Sequence, residues 1–224
     1  MEYSASLMCA NLLNLANDFD RLKAAGINRI HYDIMDGNFV PNVTLGLDMA
    51  KDFIEYSNMK FDAHLMVKDP ASFIDKLIDF RFYSISFHIE SNPNNVFRLI
   101  DKIKAAGIKA GIVLSPVTSV ESIKYLLPRL DLITVMTVDP GFAGQKFVKE
   151  ALFKFDELDE LRKKFNYNFD LMIDGSVNEK TIEEITSHPV DILILGSSGL
   201  FGDKEGFEKA LEKLNKLNKR YLTK

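Results

Sequence analysis

Short apolar runs of strand length take turns with longer amphipathic runs of helical period along almost the whole chain, and this alternation restricts the fold more than any other feature. The strand-like runs are "YSASLM", "RIHYDI", "FDAHLMV", "FYSISFHI", "AGIVL", "DLITVMTV", "FDLMID" and "DILILG", eight in all. Between them lie the helical patterns "FDRLKAAG", "ASFIDKLIDF", "NNVFRLIDKIKAAG", "ESIKYLLP", "ALFKFDELDELRKKF" and "EKTIEEIT", two of which end on the glycine that suits a helix C-terminus. Consecutive strand–helix units predict a parallel sheet, because parallel neighbours need a crossover connection and a helix is the usual one. Eight units suggest closure, so the expected α/β architecture is a single (β/α)8 barrel of parallel strands filling residues 1–224, ahead of a doubly wound open sheet. No Pro/Gly/Ser-rich linker divides the chain, and a hydrophobic content of 46% can fill one core of that size. In either fold, chemistry belongs at the carboxyl ends of the strands.

Composition removes several classes of partner. The net charge of -4 is spread along the chain without a Lys/Arg block, so nucleic acid is not an expected partner. No apolar run approaches the length of a bilayer span and no signal-like segment opens the chain, so no membrane partner and a cytoplasmic location are expected. Cys9 stands alone, which excludes an intrachain disulfide.

The stretch "RIHYDIMDGNFVPN", from Arg29 to Asn42, sets an imidazole and two carboxylates into a hydrophobic run. Unpaired polar groups are costly where water is excluded, so their presence points to a bound group. Side chains two apart share a strand face, which puts His31 and Asp33 together and Ile30, Tyr32 and Ile34 on the other side. His64 stands near the end of the third run and Asp174 closes the seventh. A lone strand-end histidine is ordinarily a satisfied hydrogen-bonding group, and Asp before Gly is ordinary turn chemistry. The recurrence of all four residues at equivalent strand ends favours a mixed nitrogen and oxygen site for one divalent ion, with zinc, iron, manganese, cobalt and magnesium all candidates. His88, in "SFHIE", has no matching carboxylate pattern and is expected behind the ligands or in packing, while His188 reads as a loop residue.

The loops after the later strands suit an anion. "VDPGFAGQKF", from Val138 to Phe147, offers Gly141 and Gly144, where backbone N–H groups can approach closely. "DGS" at Asp174 to Ser176 and "GSS" at Gly196 to Ser198 follow the seventh and eighth strands, where barrel enzymes frequently hold a phosphate. Each loop taken alone is also an ordinary tight turn. Met35, Met66 and Met136 gather at the same strand ends, either as core filler or as a dry, polarisable wall over a delocalised intermediate.

Taken together, "SASLM", "HYDIMDGNFVPN", "DAHLMV", "TVDPGFAGQ", "DGS" and "GSS" resemble, in order and over nearly the whole chain, the ribulose-phosphate 3-epimerase family of TIM barrels. The resemblance implies a metal held by His31, Asp33, His64 and Asp174, with Asp33 and Asp174 also the catalytic proton-transfer pair. It implies that Ser6 and His64 contact the sugar, and that Gly141, Phe142, Ala143, Gly144, Gly175, Ser176, Gly196, Ser197 and Ser198 hold its phosphate. The implied protein is an isomerase acting on a small-molecule ketose phosphate, and a homo-oligomer, dimer or hexamer. Inverting a carbon beside a ketone means removing its proton on one face and returning one on the other, so a carboxylate is needed on each side. A metal would stabilise the enediolate as charge develops.

Four features depart from the commonest pattern of that family. Cys9 stands where serine is usual, Ala143 replaces a glycine, Ser176 replaces the second glycine of "DGG", and "GSSGLF" replaces "GSAIF". These are similar to the D-allulose-6-phosphate 3-epimerase branch, so the expected reaction is D-allulose 6-phosphate to D-fructose 6-phosphate. D-ribulose 5-phosphate to D-xylulose 5-phosphate is the alternative. Enediolate-forming decarboxylases of the same barrel carry a D-x-K-x-x-D element, and "DAHLMVKD" has histidine where that lysine would stand. A non-catalytic sugar-phosphate sensor would be expected to lose an aspartate, and both are present.

Overall fold

Among the described residues, eight parallel strands pair in chain order, and the last closes on the first. They are β1 (Glu2–Ser6), β2 (Arg29–Met35), β3 (Lys60–Met66), β4 (Ser84–His88), β5 (Lys109–Leu114), β6 (Leu132–Met136), β7 (Asp170–Asp174) and β8 (Ile192–Leu195). The structure, a computed structural model, describes residues 1–91 and 94–222. The expected closed barrel is therefore the observed one, a TIM barrel.

Helices cover the barrel as α1 (Leu15–Ala24), α2 (Leu47–Ser57), α3 (Ala71–Asp79), α4 (Val96–Ala105), α5 (Phe153–Phe165), α6 (Ile182–Ile185) and α7 (Phe207–Leu222). The glycines expected to close α1 and α4, Gly26 and Gly107, follow them with φ of 79° and 76°. Helices α2 and α7 are additional to the patterns read from the sequence. The helix expected after β5, "ESIKYLLP", is not one: Val120–Ile123 and Leu127–Arg129 form two 3-10 turns. Its amides reach back three residues, as in Leu126 to Ile123 at 2.8 Å and Arg129 to Leu126 at 2.8 Å. Pro128 has no N–H and its ring excludes the helical carbonyl four residues earlier, so the remaining stretch is too short to repay helix nucleation. "EKTIEEIT" shortens to the single turn of α6, because Asn178 Oδ1 and Thr181 Oγ1 capture the amides of Lys180 and Asn178 in a local turn.

Alternation along each strand divides the molecule into two cores. On β2, Ile30, Tyr32 and Ile34 face the helices and join the large cluster that also holds Phe19, Phe61, Phe82 and Phe155. The remaining residues of β2 face the barrel axis, and all seven positions of the strand are buried. Following the strand registers around a tilted eight-stranded barrel stacks the inward side chains in layers of four from alternate strands. His31 shares a layer with Ser86, Thr134 and Ile194. The next layer toward the strand ends holds Ser6, His64, Val113 and Asp174, and above it come Asp33, His88, Met136 and Gly196.

The interior is polar on one side and apolar on the other. Leu132, Met172, Ile192 and Ile194 make a small apolar cluster on the β6–β8 side. Opposite it, below the strand-end residues, Asp62 accepts from Arg29 at 2.9 Å, Ser84 at 2.5 Å and Ser4 at 3.3 Å. These pairings let charged groups occupy a barrel core at tolerable cost, with Arg29 Nε alone of the guanidinium nitrogens left without a partner. Gly111 suits a close approach: a Cβ there would lie 2.1 Å from the Ser86 hydroxyl, which would have to rotate away, and 3.1 and 3.2 Å from the Cβ atoms of Ser86 and Leu132.

Candidate active site

Four donors converge where three interior layers meet. His31 reaches up from its layer, Asp33 reaches down from two residues further along β2, and His64 and Asp174 enter from β3 and β7 at the level between. His31 Nε2 and His64 Nδ1 are 3.1 Å apart. Asp33 Oδ1 lies 3.2 Å from His64 Nδ1 and 3.3 Å from His31 Nε2, while Asp174 Oδ2 lies 3.5 and 3.7 Å from the same atoms. Donors about 2.0–2.2 Å from a tetrahedral ion sit about 3.3–3.6 Å from one another, so the spacing fits a first-row divalent metal. The set of two imidazoles and two carboxylates suits such an ion equally well.

Within the protein's own charges, the two aspartates are driven apart. Burial works against a charge on Asp33, yet His31 and His64 outweigh it and hold this carboxyl well below the usual range. For Asp174, burial comes first and the neighbouring Asp33 charge adds to it, so its carboxyl is pushed up despite the two imidazoles. Burial also opposes charge on His31, but Asp33 and then Asp174 overcome it and lift the imidazole to about 9. One carboxylate inclined to stay ionised beside one inclined to hold a proton is the environment expected of an acid–base pair.

Asp36, the other acid of the opening motif, has a structural task. Its Oδ1 accepts the amides of Asn38 and Phe39, and Oδ2 accepts the amide of Lys68 at 2.8 Å, tying the β2 loop to the β3 loop. Asn42 ties the same loop to the other side, donating to the Gly141 carbonyl at 2.8 Å.

Above the donors opens a cavity whose walls contain most of the residues expected there. Ser6, Asp33 and Asp174 line it together with Met35, Met66 and Met136. Gly141, Phe142, Ala143, Gly144, Gly175, Ser176, Gly196, Ser197 and Ser198 line its other end. His31 and His64 are almost wholly buried and do not form part of the wall. Ser6 Oγ donates to Asp33 Oδ2 at 2.9 Å, so the β1 serine fixes the carboxylate's outer oxygen. Ser176 Oγ is committed to the Gln145 carbonyl, which locks the loops after β6 and β7 together.

Two features escaped sequence reasoning. Met8 also lines the cavity, and it could have been found because it follows the end of β1 much as Met35 and Met66 close β2 and β3. His88 lies behind His64 as expected, but the acid beyond it, Glu90, was not anticipated: its Oε2 is 3.2 Å from His88 Nδ1. His188 is a loop residue and pairs with Asp156 at 2.8 Å.

Residues 2–201 match the family described as the ribulose-phosphate 3 epimerase family. The ribulose-phosphate 3-epimerase of Helicobacter pylori strain J99 is 38% identical over 197 residues, covering 88% of this chain and 89% of that one. The protein of the same name from Methanocaldococcus jannaschii is 32% identical over 229 residues, covering 100% of this chain and 96% of its own. Among solved structures, 3-hexulose-6-phosphate synthase from Salmonella typhimurium superposes with a TM-score of 0.71 at 16% identity, over 99% of this chain and 100% of that one, a likeness of fold alone. Sequence relatedness over the full barrel, with both aspartates and both histidines in place, leads to one conclusion: the chain belongs to the ribulose-phosphate 3-epimerase family and is an epimerase.

Proposed function

We propose that the protein inverts C3 of a ketose phosphate through an enediolate, with Asp33 and Asp174 as the proton-transfer pair and D-allulose 6-phosphate as the preferred sugar. The observation that carries the reading is the pair of aspartates on the cavity floor, one held ionised and the other pushed toward protonation. In one direction the Asp33 carboxylate takes the C3 proton, and the acid form of Asp174 returns a proton to the opposite face. The turnover ends with the protonation states exchanged, which is the arrangement the reverse reaction needs. A divalent cation held by His31, Asp33, His64 and Asp174 would supply Lewis-acid stabilisation of the negative charge growing on the substrate's oxygens. Ser6 keeps Asp33 aimed, and the thioethers of Met35, Met66 and Met136 keep water from the planar intermediate. The loops at Gly141–Gly144, Gly175–Ser176 and Gly196–Ser198 hold the phosphate at the far end.

The choice of sugar rests on Cys9, Ala143, Ser176, Ser197 and Ser198, which all line the same cavity. C3 must stay over the aspartates in either sugar, so one extra CHOH unit falls between the reacting centre and the phosphate loops. A site that hydrogen-bonds this hydroxyl leaves polar groups unpaired with the shorter sugar, at a cost of orders of magnitude in kcat/KM. The relatives named ribulose-phosphate 3-epimerase favour D-ribulose 5-phosphate as the second reading. Competing the two sugars in one assay decides between them: preferential use of the pentulose overturns the hexulose assignment and leaves the epimerase reading in place.

A further inference from the structure

The far nitrogen of His64 is not free. His64 Nε2 lies 3.0 Å from His88 Nε2, and His88 Nδ1 lies 3.2 Å from Glu90 Oε2 and 3.3 Å from Ser115 Oγ. The other Glu90 oxygen, Oε1, accepts the backbone N–H of Ser115 at 3.1 Å and the hydroxyl of Thr118. His88 is fully buried, with the Phe39 ring packed against it at a centroid distance of 4.8 Å. A chain of contacts thus runs from the donor cluster to a solvent-reaching carboxylate on the loop after β4.

We infer that Glu90 is a positioning residue which, acting through His88, decides which nitrogen of His64 keeps its lone pair for a metal; this rests on the metal reading of the four-donor cluster. Two ring nitrogens 3.0 Å apart share a single proton. His64 Nδ1 faces the other donors, so it must be bare to bind a cation, and the proton of neutral His64 then sits on Nε2 and is donated to His88 Nε2. Having accepted there, His88 carries its own proton on Nδ1 and donates it to Glu90. A carboxylate has no proton to give, so it permits only this direction, and the fixed Ser115 amide holds it in place. Metal-bound histidines commonly donate their second N–H to an oriented acceptor; here a second histidine lies between ligand and carboxylate.

This proton order gives a ranking of variants that a merely structural Glu90 would not. In Glu90→Gln, the Ser115 amide keeps the amide oxygen at the Oε1 position, which leaves the NH2 group facing His88 Nδ1. The chain then reverses, and His64 carries its proton on Nδ1, where a metal should bind. In Glu90→Ala no direction is imposed, and Ser115 Oγ remains beside His88. Zn2+ affinity of the full-length protein, read by competition with a chromogenic chelator, should fall about 10- to 100-fold in Glu90→Gln and by less in Glu90→Ala. Imidazole 15N shifts in metal-free Glu90→Gln should place the His64 proton on Nδ1. If the isosteric glutamine binds Zn2+ as tightly as the alanine variant or more tightly, or the His64 proton stays on Nε2, the inference is overturned while the metal centre stands. A wild-type protein that binds no stoichiometric Zn2+ overturns both.

Discussion

Metal affinity should rise with pH between about 7 and 9, because a cation at the donor cluster has to displace a proton from His31. Burial alone would lower this imidazole, but Asp33 at 3.3 Å and Asp174 at 3.7 Å lift it from 6.5 to about 9. At pH 7 the ring therefore sits about two units below its midpoint and is neutral about 1% of the time, so binding costs about 2.7 kcal/mol more than at alkaline pH. Zn2+ affinity should gain about tenfold per unit, about 100-fold in all, and level off above pH 9. The fold responds with the opposite sign. A group whose folded value is raised stabilises the metal-free protein fully below 6.5 and loses that contribution as pH climbs through about 9. The rise in Tm on adding Zn2+ should accordingly be larger at pH 9 than at pH 7. The assay is a chelator-buffered Zn2+ titration across this range, corrected for the chelator's own protons. Calorimetry in buffers of differing ionisation heat would count the protons released. An affinity that stays flat from pH 7 to 9, with no proton released at pH 7, would show that the cation displaces no proton from His31.

Three substitutions probe other parts of the site. His64→Ala removes one of four donors and should lower both bound metal and turnover, so a normal metal content in the purified variant would take His64 off the ligand list. Asp174→Asn should still exchange the C3 proton of one epimer with solvent deuterium while delivering no inverted product; because Asp174 is itself a donor, metal content is measured on the same sample, and inversion by a metal-replete variant would contradict its role. Gly111→Ala forces a methyl group to 2.1 Å from Ser86 Oγ and 3.2 Å from Leu132 Cβ, and should cost about 1–3 kcal/mol in urea unfolding. Adding Ser86→Ala should restore only part of that, since the Ser86 Cβ is still 3.1 Å away; full stability in the single variant would show that the barrel interior is looser than these contacts require.

The alternation of periods in the sequence was enough to predict parallel strand–helix units and to rank a closed barrel ahead of an open doubly wound sheet, because period two and period 3.6 are properties of the local chain. The same local rule put His31 and Asp33 on one face of β2. It failed for "ESIKYLLP", whose apolar spacing is helical but whose length is cut short by Pro128, and it passed over α2 and α7.

What no local rule contains is the convergence of β2, β3 and β7. Asp174 meets His31 and His64 only because the barrel closes with a stagger that brings it level with His64, between the layers of His31 and Asp33. His88 shows the same limit from the other side: the sequence sets it behind the ligands or in packing, but nothing in "SFHIE" says which donor atom its ring would meet or that Glu90 would stand beyond it. That distinction comes from the position of β4 one strand beyond β3, where the inward direction points at His64 Nε2 instead of its Nδ1. The residue types that could do chemistry were written in the sequence, whereas closure of the barrel decided which of their atoms meet.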